Sequence, residues 1–113
     1  DPAEAVAEFA APLTAEAVTA EGLRVRRDQV GRAYAALTQP VAEALRLAAR
    51  TEGLVLDPTY TGRALAGLRA AARDGDVRPG EKTVFVHTGG LPGLFGHPEA
   101  VAYAEEGAGA YEG

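Results

Sequence analysis

The pattern of apolar and polar positions marks out one stretch first. Thr83-Val84-Phe85-Val86 is a short run of β-branched and aromatic residues. It follows the turn Arg78-Pro79-Gly80 and stops at His87, Thr88 and the pair Gly89-Gly90. An apolar run of that length between turn signals predicts a buried strand of a parallel sheet. Ligands of open α/β sheets sit beyond the carboxyl ends of such strands, so His87 and Thr88 are the first candidates for chemistry. The glycines beside them let a backbone come close to a ligand.

Elsewhere the pattern is mostly helical. Asp1-Pro2 opens a first helix with Val6, Phe9 and Ala10 on its apolar face, and Pro12 breaks it. Thr14 is placed to cap a second helix through Ala20, stopped by Gly22. Leu23-Arg24-Val25-Arg26 alternates apolar and basic residues, as a half-exposed strand does. Asp28-Gln29 suits a turn, and the stretch Val30–Pro40 is irregular and contains Tyr34. Pro40 opens a helix to about Arg50 with Val41, Ala44, Leu45 and Ala48 on one face, ended by Gly53. Leu54-Val55-Leu56 is too short to classify by period. Asp57 or Thr59 can cap the next helix, which runs to about Arg73 with Ala64, Leu65, Leu68, Ala71 and Ala72 as its core stripe. Asp74-Gly75-Asp76 is a turn. Pro92–Phe95 reads as one helical turn, Pro98–Glu105 as a short helix stopped at Gly107, and Gly107–Gly113 as a frayed tail. A buried parallel strand wants neighbours, and the chain supplies few, so it reads as part of a larger α/β domain.

Composition narrows the chemistry. The 113 residues suffice for one domain, and the hydrophobic content of 47% is ordinary. A net charge of −5 argues against a nucleic-acid footprint. The lack of cysteine rules out a disulfide, a thiolate nucleophile and a zinc–thiolate site. No apolar run approaches the roughly 20 residues that span a bilayer. The start DPAEAVAEFA lacks the regions of a secretion signal, so the expected location is cytoplasmic. His87 and His97 lack metal-ligand spacing with nearby carboxylates, and no metal is expected. His87 reads more simply as a packed, hydrogen-bonded residue than as a general base. Gly89, Gly90 and Gly93 have no P-loop lysine after them. Arg24, Arg26 and Arg27 read as a solvated strand face. Lys82 is the sole lysine and stands before the strand, at the end away from the candidate site.

Two longer blocks carry a resemblance. EGLVLDPTYTGRALAGL at Glu52–Leu68 and KTVFVHTGGLPGLF at Lys82–Phe95 resemble the C-terminal region of the D-cysteine desulfhydrase and 1-aminocyclopropane-1-carboxylate (ACC) deaminase family. Upstream, Val30-Gly31, Tyr34 and Thr38 resemble that family's glycine–tyrosine–threonine stretch. The match covers roughly residues 23–95 and departs at Arg32-Ala33, where the family usually has proline–glycine. The family is pyridoxal-phosphate (PLP) dependent and of the tryptophan-synthase-β fold type. The resemblance implies an α/β fold: a partial parallel sheet with flanking helices, forming the C-terminal part of that PLP fold. Residues 1–113 would be a single segment, with a helical lead-in at 1–22, the matching core at 23–96 and a short helix and tail at 97–113. In the family the Schiff-base lysine and the phosphate-binding glycine loop lie upstream of what corresponds to Asp1. The implied partners are therefore a missing N-terminal part of the same enzyme and a second copy in a homodimer.

The resemblance also assigns roles. Thr88 would place its hydroxyl on or next to the pyridine nitrogen of PLP, with Gly89 beside it and Thr61 in the same cofactor-binding set. The alternative is a threonine that caps its own loop. Tyr60 and Tyr34 would line the site as stacking, substrate-binding or proton-transfer groups, the two catalytic candidates. The alternative is a half-buried tyrosine with its hydroxyl in water. Tyr103 and Tyr111 are assigned nothing. ACC deaminases resemble this sequence but carry glutamate at the position of Thr61 and leucine at that of Thr88, whereas desulfhydrase-type members carry threonine at both. The expected reaction is thus α,β-elimination from D-cysteine or a related amino acid. ACC ring opening is one alternative, and a catalytically incomplete interaction module is another.

Overall fold

A computed structural model describes residues 1–109. Among these are five α-helices: α1 (Pro2–Ala10), α2 (Gln39–Glu52), α3 (Thr61–Arg73), α4 (Leu91–Phe95) and α5 (Pro98–Gly109). Single 3-10 turns lie at Ala11–Leu13 and Ala20–Gly22. The tail expected to fray falls partly at residues 110–113, outside the described residues; up to Gly109 it continues α5 past Gly107.

The centre is the packed pair α2 and α3, whose contact buries Val41, Ala44 and Ala66, with Leu37, Leu45 and Leu65 packed around them. α2 begins with Pro40 in its first turn and ends where Gly53 turns left-handed at φ 65°. The expected face of α2 is the one buried. The face of α3 differs by register. Gly62, Ala66 and Ala70 are buried, whereas Ala64 and Ala72 are exposed. Small residues four apart form the most buried row, and Leu65 of the expected stripe packs partly buried beside it. A Cβ at Gly62 would lie 2.6 Å from the Asp57 carbonyl oxygen and 2.9 Å from Leu45 Cδ2.

The sheet expected from the sequence does not form. Among the described residues there is no strand, and both Leu23–Arg26 and Thr83–Val86 are irregular segments. Val84 is 87% exposed and Val86 71%. A β-branched run suits a pleated, half-buried surface, but the strand itself exists only where a neighbour offers N–H and C=O groups. No described segment offers them to this run. The described chain is therefore helical, not α/β. Its radius of gyration of 16.3 Å exceeds the ~13 Å of a compact domain of this length. Two helical expectations also change. The segment after Thr14 forms no helix: it bends where the Thr14 hydroxyl accepts from Glu16 N–H, and Ala20 already begins the second 3-10 turn. In α1, Asp1 caps as expected, but the buried residues are Ala3 and Ala7, leaving Phe9 outside.

α3 starts at a closed network around Asp57. One carboxylate oxygen, Oδ2, accepts from Thr59 and Tyr60 N–H, both at 2.7 Å. The other, Oδ1, accepts from Thr61 N–H at 2.9 Å and from the Thr61 hydroxyl at 2.7 Å. In return, Thr61 Oγ1 accepts from Asp57 N–H at 2.9 Å. The Asp57 carbonyl takes Gly62 N–H at 2.7 Å, and Pro58 has no N–H to satisfy. Asp57 and Thr61 are both buried. Burial pushes the Asp57 carboxyl up, but the bonds from Thr61 N–H, Tyr60 N–H, the Thr61 hydroxyl and Thr59 N–H together outweigh it and hold the group below the usual carboxylate range.

Two outcomes are expected. Gly62→Ala should lower stability by about 1–3 kcal/mol through overpacking. Gly67→Ala on the same helix, with only Gln29 Cγ at 3.8 Å, should be neutral or raise it by about 0.5–1 kcal/mol. Urea melts of the two variants separate them. The Asp57 contribution carries the sign of a depressed acid: fully present above the unfolded-state pKa of about 4, lost as pH falls through the lower folded-state value. Asp57→Asn should cost about 1–3 kcal/mol at neutral pH and flatten that acid limb in melts between pH 7 and pH 2.

Candidate functional site

The residues singled out in the sequence gather around the start of α3. Tyr60 precedes its first turn, and the Tyr60 hydroxyl lies 2.6 Å from that of Tyr34. The hydrogen bond to Tyr34, more than partial burial or the nearby Asp57 carboxylate, holds the Tyr60 phenol above its ordinary value. Both rings are largely exposed. Thr61 is buried, and besides its exchange with Asp57 its hydroxyl reaches the Gly89 carbonyl at 3.2 Å. Thr88 is exposed and lines an open cleft of about 730 Å³ together with Arg24, Arg26, Tyr60, Thr61 and Val86. A second cleft, of about 490 Å³, lies between the Val30–Ala35 segment and Tyr60, so Tyr60 borders both.

The glycines following Thr88 serve backbone contacts. Gly89 has a positive φ of 144° and donates its N–H to His87 Nδ1 at 3.2 Å. A Cβ on Gly90 would collide with the Val55 carbonyl, and one on Gly93 would lie 2.9 Å from Asp57 Cβ. His87 completes this junction by donating from Nε2 to the Val55 carbonyl at 3.1 Å. The apolar link Leu54–Leu56 and the segment ending at Thr88 thus meet at Val55, and Thr61 ties Gly89 to the Asp57 network.

Sequence reasoning missed Arg63 and gave His97 no role. Arg63 donates through Nη1 to the carbonyls of Gln29 and Val30, through Nη2 to that of Ala36, and through Nε to that of Thr59. His97 donates from Nε2 to the Ala35 carbonyl at 2.6 Å. Apart from Thr59, four residues from Arg63, these carbonyl partners lie 27 to 62 residues away and leave no periodic signal. Arg26 is exposed, as expected, and pairs there with Asp28, Asp74 and Asp76 at 2.8, 2.7 and 3.2 Å, tying the 23–28 segment to the end of α3. Its bonds to Asp28 and then Asp74 hold the guanidinium above its ordinary value, and Asp28 is held correspondingly low.

Lys82 is exposed and does not line the cleft beside Thr88. Among the described residues no group of histidine and carboxylates is arranged to hold a metal ion, and no helix is long and apolar enough to cross a membrane. Tyr103 of α5 lies under Arg46 of α2, whose guanidinium carbon is 4.1 Å from the tyrosine ring centre.

The chain is 44% identical over 68 residues to a Pyrococcus furiosus protein named, provisionally, as a 1-aminocyclopropane-1-carboxylate deaminase; the match covers 60% of this chain and 20% of that one. It is 42% identical over 65 residues to the 1-aminocyclopropane-1-carboxylate deaminase of Rhizobium leguminosarum bv. viciae, covering 58% and 19%. With the Burkholderia ambifaria enzyme of the same name it shares 42% over 57 residues, covering 50% and 17%. The chain thus spans about one fifth of the length of these relatives. The family model described as pyridoxal-phosphate dependent enzyme matches residues 2–89, and the chain belongs to that family.

Proposed function

We propose that this segment forms one wall of the active site of a PLP-dependent deaminase acting on a small amino acid, of the ACC deaminase type that its relatives' names describe. The observation that carries the reading is Tyr60, which lines the same cleft as Thr88 and meets the Tyr34 hydroxyl at the neighbouring one. When bound, PLP withdraws electron density from the α-carbon of an amino acid joined to it. The residues here fit the ring and substrate end of that cofactor. The Thr88 hydroxyl has no partner among the described residues and can donate to the pyridine nitrogen. A neutral hydroxyl there leaves the ring a weaker electron sink than a carboxylate would. Tyr60 holds a proton at its phenol oxygen, in hydrogen-bond contact with the Tyr34 hydroxyl, and can deliver it to the reacting substrate. Thr61, with its hydroxyl engaged by Asp57 and Gly89, fixes the turn that aims Tyr60. Lys82 is off the cleft, so the reading assigns the cofactor-bearing amine to other sequence of the full-length enzyme.

A second reading has one specific observation in its favour. Threonine stands at both position 61 and position 88, as the desulfhydrase-type members have it, and this supports α,β-elimination from D-cysteine to pyruvate, ammonia and hydrogen sulfide. A glutamate at 61 would set its carboxylate against that of Asp57, where the Thr61 hydroxyl now donates at 2.7 Å. The relatives' names favour the ACC reading over this one.

Ammonia release by the full-length, PLP-loaded enzyme from ACC and from D-cysteine decides between them. Turnover of ACC supports the first reading, turnover of D-cysteine alone the second, and turnover of neither overturns both. Tyr60→Phe should lower kcat by about 10²–10⁴-fold with a smaller change in KM, as loss of a proton-transfer group does. Thr61→Glu combined with Thr88→Leu should raise the ratio of kcat/KM for ACC over D-cysteine by about tenfold or more. An unchanged ratio would remove both threonines from substrate selection.

A further inference from the structure

The loop that carries Tyr34 is under backbone strain and is held from outside. Ala35 has φ 60°, in the left-handed region that a residue with a Cβ rarely adopts. Such conformations persist where surrounding groups over-determine them. Two side chains do so here. His97 takes the carbonyl of Ala35 itself. Arg63 takes those of Gln29 at 2.6 Å, Val30 at 2.7 Å and Ala36 at 2.9 Å, which bracket the loop on both sides of Tyr34. The same guanidinium bonds the Thr59 carbonyl at 3.2 Å, one residue before Tyr60. Gly31, at φ 77°, leaves room for it, since a Cβ there would stand 2.9 Å from Arg63 Nη1.

We infer that Arg63 is a positioning residue: by gathering the carbonyls on both sides of Tyr34 and the one before Tyr60 onto a single planar guanidinium, it sets the contact between the two phenol hydroxyls. The geometry suits arginine, whose forked donors satisfy several acceptors in one plane, and not lysine, whose ammonium is a single point. The importance of the contact for turnover rests on the proposed function; the contact itself does not. Tyr60 reports on it directly, because its phenol is raised mainly by the bond to Tyr34, with Asp57 as the other charged group acting on it.

The test is the alkaline titration of Tyr60, followed by NMR of Cζ-labelled tyrosine in the full-length protein and assigned with Tyr60→Phe. Tyr34→Phe should move the Tyr60 midpoint down toward the ordinary tyrosine value of about 10. Arg63→Ala and Arg63→Lys should each reproduce the greater part of that fall, and Tyr34→Phe combined with Arg63→Lys should fall no further than Tyr34→Phe alone. Direction separates positioning from charge, since removing a nearby cation without moving Tyr34 would raise the phenol midpoint, not lower it. Arg63→Lys keeps the charge and decides the matter if Arg63→Ala fails to fold. A Tyr60 midpoint unchanged or raised in Arg63→Lys, alongside a lowered melting temperature, would make Arg63 a structural clamp only and overturn the inference. The readout needs neither cofactor nor turnover, so failure of the deaminase reading would leave it standing and the reverse holds too.

Discussion

One buried carboxylate organises the described structure. Asp57 meets every N–H from Thr59 to Thr61 and exchanges hydrogen bonds with the Thr61 side chain. A charged group in that position is tolerable only because each of its lone pairs has a donor. The direction of α3 follows from this turn, and so does the approach of Gly62 to Leu45 and the orientation of Tyr60. Gly93 packs on the same aspartate from the other side, so the segment after Thr88 is shaped by it too. The cap and the candidate site share atoms, which is why fold and chemistry cannot be discussed apart at this end of the helix.

Around that turn the chain is held mostly by polar contacts to backbone carbonyls. The apolar core is small: Leu56, Val41 and Pro58 are its largest fully buried side chains, and the buried cluster of the α2–α3 contact is Val41, Ala44 and Ala66. Arg63, His97, His87 and Arg26 each tie together segments distant in sequence. Meanwhile Phe9, Leu13, Val84 and Phe95 stand largely exposed. This distribution fits a segment that spans about one fifth of the length of its relatives.

What could be read from the sequence was what local chemistry dictates. Pro40 and Gly53 bracket α2, and Asp57 marks the start of α3, because caps and breakers act within a few residues. The face of α3 is legible only in part: Leu65 packs on the core as its stripe predicts, but the most buried row is Gly62, Ala66 and Ala70, and Ala64 and Ala72 lie outside. The run Val84-Phe85-Val86 shows the opposite limit. Its composition states what surface it suits, yet a ladder needs a second segment, and composition cannot supply one. Tyr34 and Tyr60 came together through family likeness rather than spacing. Arg63 was invisible, since an arginine on a helix carries no mark of the distant carbonyls it will hold.

The two halves of the tyrosine pair differ in how far along the chain their supports reach. Asp57 and Thr61 are four residues apart, whereas Arg63 and Gln29 are separated by 34. Closing the longer loop costs about 2 kcal/mol more in chain entropy than closing the shorter one. The Tyr60 side is therefore set by a turn that forms early and locally, and the Tyr34 side arrives with long-range closure and is the first to be released when the protein loosens. Disassembly of the site would begin at the loop, with the helix start still intact.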